Sequence, residues 1–375
     1  MLAKVILHSN LKKLLQNPSH LRLMDLVFKE QEESGIIERI DDLDKFIAEH
    51  PNHSFLPHIG IFKLDRMSTK CRVVYLSNLC QRDPTKTLTV SHNQAIHPGP
   101  TLNQKIVSSL LHLRFGSYLL GFDICKAFNN LALNEVDSNR LLCLWFQNVE
   151  KSNFKIVGYR NLRLSFGLRC SPTLLLLALY KILILDCDHE DTSICELKKL
   201  IYQLCYMDNL AVSFDSKADL KWAYSQLLGI FEPYKFYLQQ FITNDLSLQG
   251  YIDGELDVKT DVNVKLLGLF WNREKDTLST RPINLDENAR TKRSILSSIA
   301  CQFDLYNFNG PLLNRSRLFL HNLQCDQNLG WDKFLSKDLQ RQWKNIVKQA
   351  NSALPVEIPR FVGSRQDSYR LIAFF

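Results

Sequence analysis

Residues 200–214 read LIYQLCYMDNLAVSF, and residues 117–124 read SYLLGFDI. The first run has two apolar, β-type halves on either side of Met207-Asp208-Asn209, and so reads as a hairpin with polar residues at its turn. The second reads as a strand that closes on an acid, Asp123. A lone strand-end Asp is more often a cap or turn residue. Two of them at neighbouring strand ends are another matter, because paired carboxylates hold hard divalent cations through oxygen. Two such ions about 3.5–4 Å apart activate a hydroxyl and stabilise a leaving group in an in-line displacement. Asp123 and Asp208 are therefore expected to lie side by side, although they are far apart in the chain.

Working outward, LLCLWF at 141–146 is strand-like, and LSFGLRCSP at 164–172 leads into an apolar helix from Thr173 to Leu185. Pro172 suits a helix start. The segment 91–103, with two prolines around Gly99, reads as an extended loop followed by a helix from Leu102 to Leu113. Phe55 to Asn78 reads as a hairpin with a polar tip at 65–70, and KLLGLFWNREKDTLS at 265–279 as a second, shorter one. Residues 2–50 carry helical spacing with breaks at Pro18 and Gly35, and Lys217 to Phe231 is helical. After Asn284 the spacing is again helical, with Ile295, Leu296, Ile299, Ala300 and Phe303 on one face. The tail YRLIAFF reads as a strand. Strands and helices in mixed order, around a central antiparallel sheet backed by helices, define an α+β fold.

With 375 residues and 45% hydrophobic content, the chain can bury one large core or two to three subdomains. Its most apolar stretch, Leu174 to Leu185, is too short to span a bilayer and is interrupted by Tyr180 and Lys181. The start, MLAKVILHSNLKKLLQ, lacks a small-residue cleavage site and reads as an amphipathic helix rather than a signal peptide. Ten cysteines without a CxxC pair argue for a reducing compartment, and against a zinc site or a secreted disulfide framework. An intracellular location, cytoplasmic or nuclear, is expected. The net charge of +7 is uneven: residues 281–350 hold eleven Lys/Arg against six Asp/Glu. Such a face suits a phosphate backbone, though a merely solvated helical surface has the same composition.

The motifs resemble those of reverse transcriptases. FDICKAF (122–128) is similar to their first catalytic motif, LSFGLRCSP to the second, YMDN (206–209) to the YxDD box, and LLGLFW (266–271) to the primer-grip hairpin. Flanking text, FKLDRMSTKCRVVYLSN, HPGPTLNQKIVSSLLHLRF, LQQFITND and TKRSILSSIACQFDLYNFNGPLL, resembles the Pao/BEL lineage of long-terminal-repeat retrotransposons, in the family's order from about Phe55 to Trp343. The resemblance implies a right-hand polymerase. Its parts would be an N-terminal helical segment (1–54), fingers (55–118), a palm with a returning fingers segment and primer-grip hairpin (119–280), a helical thumb and connection (281–354), and the truncated start of a ribonuclease H-like region (355–375).

It further implies that Asp123, the carbonyl of Ile124, Asp208 and Asn209 would hold magnesium, with manganese as a substitute. Lys70, Arg72, Phe128 and Gly167 would meet the incoming dNTP, Phe128 excluding a ribose 2′-hydroxyl. Leu267, Gly268 and Trp271 would form the primer grip on an RNA or DNA template-primer. On residues alone, Phe128 reads equally well as a core aromatic and Gly167 as a turn glycine. Asn209 departs from the family, where a second Asp is usual, so the site carries two carboxylates in place of three. Polymerases of negative-strand RNA viruses have an Asp-Asn pair at the equivalent turn. No DTG-like or DSG-like protease motif is present, and the resemblance thus implies a fragment, a truncated gene product or a retroelement-derived relic. Two rival readings are a polymerase-fold protein that only binds nucleic acid, and a metal-dependent nuclease. The nuclease lacks the extra acidic and histidine residues it would need.

Overall fold

The structure is a computed structural model that describes residues 2–63, 70–80, 90–147, 149, 154–187, 191–304, 306–326 and 328–364. It has two compact units, each assembled from several chain segments. The first comprises Met1–Asn103, Ile124–His189 and Phe231–Tyr237. Its sheet runs, in spatial order, Ile37–Ile40, Lys155–Asn161, Leu141–Gln147 and Ser54–Phe55. The first three strands are antiparallel, and Ser54–Phe55 lies parallel to Leu141–Leu142. Helices Leu2–Leu15 and Pro18–Glu33 supply the other half of this core. Pro18 opens the second of them, and Leu21, Met24, Asp25 and Phe28 recur at helical spacing on its buried face. Phe28 stacks on Trp145 at 4.8 Å, and the Trp145 indole N–H donates to the buried Asp25 at 3.0 Å. Gly35, φ +63°, turns the chain out of the helix into the first strand. The hairpin of the sequence reading is present as His58–Phe62 against Cys71–Tyr75; its tip, 65–69, lies outside the described residues.

The second unit comprises Gln104–Asp123, Glu190–Ile230 and Leu238–Phe375. Its central sheet has Tyr118–Ile124 in the middle, Asn209–Phe214 on one side and Leu238–Thr243 on the other. Helices Thr192–Gln203, Lys217–Phe231 and Leu246–Glu255 belong to the same part of the chain. A second sheet strings together Asn263–Leu266, Leu269–Asn272, Thr277–Ser279 and Glu357–Pro359, each antiparallel to the next. Helices Lys292–Ala300, Gly310–Cys325 and Lys337–Asn351 enclose a separate core around the fully buried Trp343, with Phe319 stacked on it.

Several expectations are corrected here. The first half of 200–214 is the end of helix Thr192–Gln203, not a strand. Asp191 caps that helix, and Leu197, Lys198 and Ile201 face inward, a helical period that the short window LIYQL could not reveal. The loop 91–103 contains a helical turn, His92–Ala95, closed by a Ser91/Gln94 capping box. The apolar face expected in 295–303 is broken: Ile295 is buried but Leu296 is exposed, and Lys292 and Ser298 take its inward positions. Strands Ile37–Ile40 and Lys155–Asn161 were not expected at all. The strand expected at 369–375 lies outside the described residues. The mixed helix-and-sheet composition is as expected, and all ten cysteines are free thiols. No helix among the described residues is long and apolar enough to cross a membrane.

Candidate active site

Strand Tyr118–Ile124 is apolar through Leu119, Leu120 and Phe122, so the centre of the sheet buries it and leaves its polar end at the rim. In the register with Asn209–Phe214, Asp123 pairs with Asn209. Cross-strand partners share a face and stand roughly 4.5–5.5 Å apart at Cα. Asp208 is the neighbouring residue, at the corner of a two-residue turn. Tyr206 N–H donates to Asn209 O at 2.9 Å and Asn209 N–H to Tyr206 O at 3.1 Å, so Met207 and Asp208 alone form the loop. Asn209 is thus the first strand residue rather than part of the turn.

Met207 has φ +58° and Asp208 is not left-handed, the pattern of a type II′ hairpin turn, in which glycine is favoured at the first position. A methionine there costs on the order of 1–2 kcal/mol, a strain of the sort that collects at functional sites. Asp123 and Asp208 are half-buried and Asn209 is exposed. The Asn209 amide donates to Asp208 Oδ1 at 3.3 Å. Beneath them Cys205 is buried; loss of water pushes its thiol up to about 12, with the Asp208 charge adding to the effect, so it behaves as a small apolar residue.

The other neighbour of Asp123 was missed by the sequence reading. Cys125 N–H donates to Tyr237 O at 2.8 Å, while Phe122 stacks on Phe241 at 5.9 Å. From 122 to 125 on one strand corresponds to 237 to 241 on its neighbour, one residue more. The surplus residue is Gln240, which sits inside strand Leu238–Thr243 with φ +56°. It is a β-bulge at the level of Phe122 and Asp123. Bulges sharpen local twist and re-aim side chains beside active sites. Nothing in LQQFIT announces it, because the position lacks the glycine that usually marks one.

The donors at this sheet end are all oxygens, two carboxylates and a side-chain amide, with the Ile124 carbonyl next in the chain. In kind they suit a hard divalent cation. Among the described residues there is no group of three or more His, Cys, Asp or Glu that could hold a metal ion. From the described residues, any charge on bound metal would therefore be balanced by no more than two carboxylates.

The remaining candidates fall into two groups. In the first unit, Arg72 is exposed on Cys71–Tyr75, and Lys70 is exposed just ahead of that strand. Phe128 lies on the short turn Ala127–Asn130, edge-on to Phe166 at 4.8 Å, and packs against the core while staying partly exposed. Gly167 follows Phe166. A Cβ on Gly167 would stand 2.2 Å from Tyr75 O, and φ is +103°. The protein's own backbone therefore occupies the approach that only glycine permits. Tyr75 N–H donates to Phe166 O at 3.3 Å, and Asn93 Nδ2 to Gly167 O at 2.9 Å, so this turn is docked on the Arg72 strand. The turns that carry Phe128 and Gly167 are in this way joined to the strand that carries Arg72.

In the second unit, Leu267 and Gly268 form the turn between Asn263–Leu266 and Leu269–Asn272, both with positive φ, as a type I′ turn requires. A Cβ on Gly268 would stand 2.3 Å from the Phe303 ring. Trp271 is fully buried, and its indole N–H donates to Asp276 at 2.9 Å. It supports the hairpin from within the core and presents no surface to a ligand.

Three comparisons bear on this geometry. Residues 291–375 match the family described as the Pao retrotransposon-like RNaseH-like domain. The solved structure of a foamy viral protease-reverse transcriptase dRH, in complex with ds DNA, superposes with a TM-score of 0.58 at 13% sequence identity. The alignment covers 92% of this chain and 49% of that one, so the chain spans about half the length of the viral protein. No curated protein sequence matches. At that identity the likeness is one of fold: the chain's mixed α/β architecture is similar to that of the matched half of the viral protein, and its C-terminal part is similar to a retroelement domain.

Proposed function

We propose that this chain is the polymerase portion of a Pao/BEL-type retroelement reverse transcriptase, an RNA-directed DNA polymerase. The observation that carries the proposal is the register of Asp123 against Asn209, with Asp208 next to it on a strained two-residue turn. In this reading the two carboxylates, helped by Asn209 and the Ile124 carbonyl, hold magnesium or manganese. The metal supplies charge neutralisation and an activated primer hydroxyl when bound. The chain's own part is positioning, which accounts for most of phosphoryl-transfer catalysis. Lys70 and Arg72 hold the triphosphate, Arg72 by a bidentate fork. Phe128 stands under the sugar, its ring steadied by Phe166. Gly167 keeps the adjoining turn close to the Arg72 strand, and Leu267 with Gly268 supports the primer terminus. The palm-fingers-thumb division of the chain belongs to the same proposal.

Extension of a primed RNA template by the purified chain, in magnesium and then manganese, tests it. Extension should occur and fall on the order of a hundredfold or more in Asp123→Asn and Asp208→Asn. Asn209, which lowers the charge of the site, is the one feature that favours the alternative of a nucleic-acid-binding protein without catalysis. Wild-type chain that binds primed template yet extends nothing in either metal would establish that alternative.

A further inference from the structure

Helix Gly310–Cys325 closes on the residues HNLQC. Leu313, Ser316, Phe319, Leu320 and Leu323 are buried and fix the side that faces the core. His321 and Cys325 are both exposed. At about 100° per residue they stand within about 40° of each other, and roughly 150–170° from the middle of the buried side. Residues four apart on a helix are neighbours, and Cys325 Sγ lies 3.8 Å from His321 Nε2. Among the described residues neither side chain has another hydrogen-bond or ion-pair partner.

Packing gives no reason for this pair. Cysteine is among the most buried residue types, and a thiol left in water adds nothing to a core. Contact between a thiol and a ring nitrogen at the surface is a weak hydrogen bond. Coordination chemistry gives the same contact a stronger meaning. A tetrahedral zinc ion, with sulfur at about 2.3 Å and imidazole nitrogen at about 2.0–2.1 Å, holds the two donors about 3.6 Å apart. The observed separation is within a few tenths of an ångström of that. Four residues along a helix is also the interval at which two histidines share zinc in HExxH helices. The negative end of the helix dipole favours a cation here, and Lys292 Nζ already donates to Asp326 O at 3.0 Å. The Asp326 carboxylate accepts from Asn328 N–H at 3.0 Å and so is engaged by the loop that follows.

We propose that His321 and Cys325 form a two-ligand site for a thiophilic divalent ion of the zinc class. The thiolate and the imidazole nitrogen take two positions of a tetrahedron, and water takes the other two. The cysteine spacing argues against a closed four-ligand zinc site, and this open pair is of a different kind. Thiolate and imidazole select zinc over magnesium, which prefers oxygen. The site is thus distinct in its chemistry from the oxygen donors around Asp123 and Asp208, and it owes nothing to the polymerase reading.

Titration of the full, reduced chain with cobalt(II), and then with zinc, tests it. Cobalt should produce a thiolate-to-metal charge-transfer band that saturates at one ion per chain. Zinc should bleach the band and millimolar magnesium should not, since oxygen ligands alone cannot give rise to it. Cys325→Ser should abolish the band. His321→Gln should weaken zinc binding, in competition with a chromophoric chelator, by at least the roughly ten- to hundredfold that loss of an outer partner costs. Cys80→Ser and Cys301→Ser, at other exposed thiols, should change neither result. All four substitutions are at the surface and should leave stability within about 0.5 kcal/mol of wild type. Binding should weaken as the pH falls, because both ligands must be free of their protons. A band that survives Cys325→Ser, zinc affinity unchanged by both single substitutions, or a wild type that takes up neither ion would overturn the site. Primer extension in magnesium should be the same in wild type, Cys325→Ser and His321→Gln, so failure of the polymerase reading would leave the cobalt band in place.

Discussion

The two ends of strand Tyr118–Ile124 are built on opposite terms. At the N-terminal end the buried guanidinium of Arg360 donates to the carbonyls of Leu113, Gly116 and Ser117 at 2.8–3.0 Å. It also takes both oxygens of Asp276, at 2.6 and 2.8 Å, and Asp276 in turn accepts from the Trp271 indole. All the donors that arginine points inward are used. At the C-terminal end, some six residues away, stand a half-buried carboxylate, a left-handed methionine in the facing turn and a left-handed glutamine in the adjacent strand. One end is saturated with hydrogen bonds; the other holds charge and strain. A strand fixed firmly at one end can carry an unfavourable arrangement at the other without losing its register, and that arrangement is the one suited to bind something.

The largest test removes the fixed end. Arg360→Ala takes from Asp276 its charged partner and from three backbone carbonyls their shared donor, and should cost about 3–5 kcal/mol in chemical denaturation. Arg360→Lys should recover only part of that, because an ammonium cannot reproduce the planar fork. A loss below about 1 kcal/mol in the alanine variant would show that the two ends are not so different.

A second test asks whether acid reaches the clamp or the first unit sooner. His58 is buried against Phe28, Tyr75 and Trp145, and its Nε2 has no hydrogen-bond partner among the described residues. Loss of water holds its imidazole down at about 4, against an ordinary 6.5, although a backbone hydrogen bond involving Leu56 pulls the other way. The folded value is below the unfolded one, so the unfolded chain takes up the proton first. Stability from neutral His58 is complete above 6.5 and is lost as the pH falls from 6.5 to about 4, by about 3 kcal/mol in all. Hydrogen exchange at falling pH should therefore show the first unit opening before the Arg360 clamp, and His58→Gln should flatten the profile in that window.

Asn209→Asp probes the charged end. A carboxylate directly opposite Asp123 should lower the stability of the metal-free chain by up to about 1 kcal/mol at low salt. Millimolar magnesium should reverse the loss, and activity in magnesium should rise relative to wild type. A variant destabilised equally with and without magnesium would argue against a shared cation. The smallest effect belongs to Gln240→Gly, which relieves a left-handed backbone at an exposed position and should raise stability by about 0.5–1 kcal/mol. If it lowers stability instead, the glutamine side chain contributes to the strand end.

What the sequence made legible follows from how local each cause is. Helix Lys217–Phe231 and strand Tyr118–Ile124 carry their periods within themselves, and Asp123 and Asp208 stand out as acids at the ends of apolar runs. Strand Lys155–Asn161 does not: it is defined by pairing with Leu141–Gln147 and with Ile37–Ile40, more than a hundred residues upstream. Arg360 is less legible still, since its carbonyl partners are 243 to 247 positions away and a lone arginine between Pro359 and Phe361 gives no local sign of burial. The turn at Gly167 lay in between. A glycine in SFG is visible, but that Tyr75 O fills the vacant Cβ position is a fact of tertiary structure.

The clamp also has a bearing on time. A ribosome working at roughly 5–20 residues per second makes Ser117 well before Arg360, by something between about ten seconds and a minute. Throughout that interval the nascent strand lacks the residue that seals its first turn, and three main-chain carbonyls wait for a guanidinium not yet synthesised. Long-range closure of this kind is slow and leaves apolar edges open to wrong pairing. Chaperone dependence during synthesis, and poor recovery when chains are cut short of residue 360, are what such a fold should display.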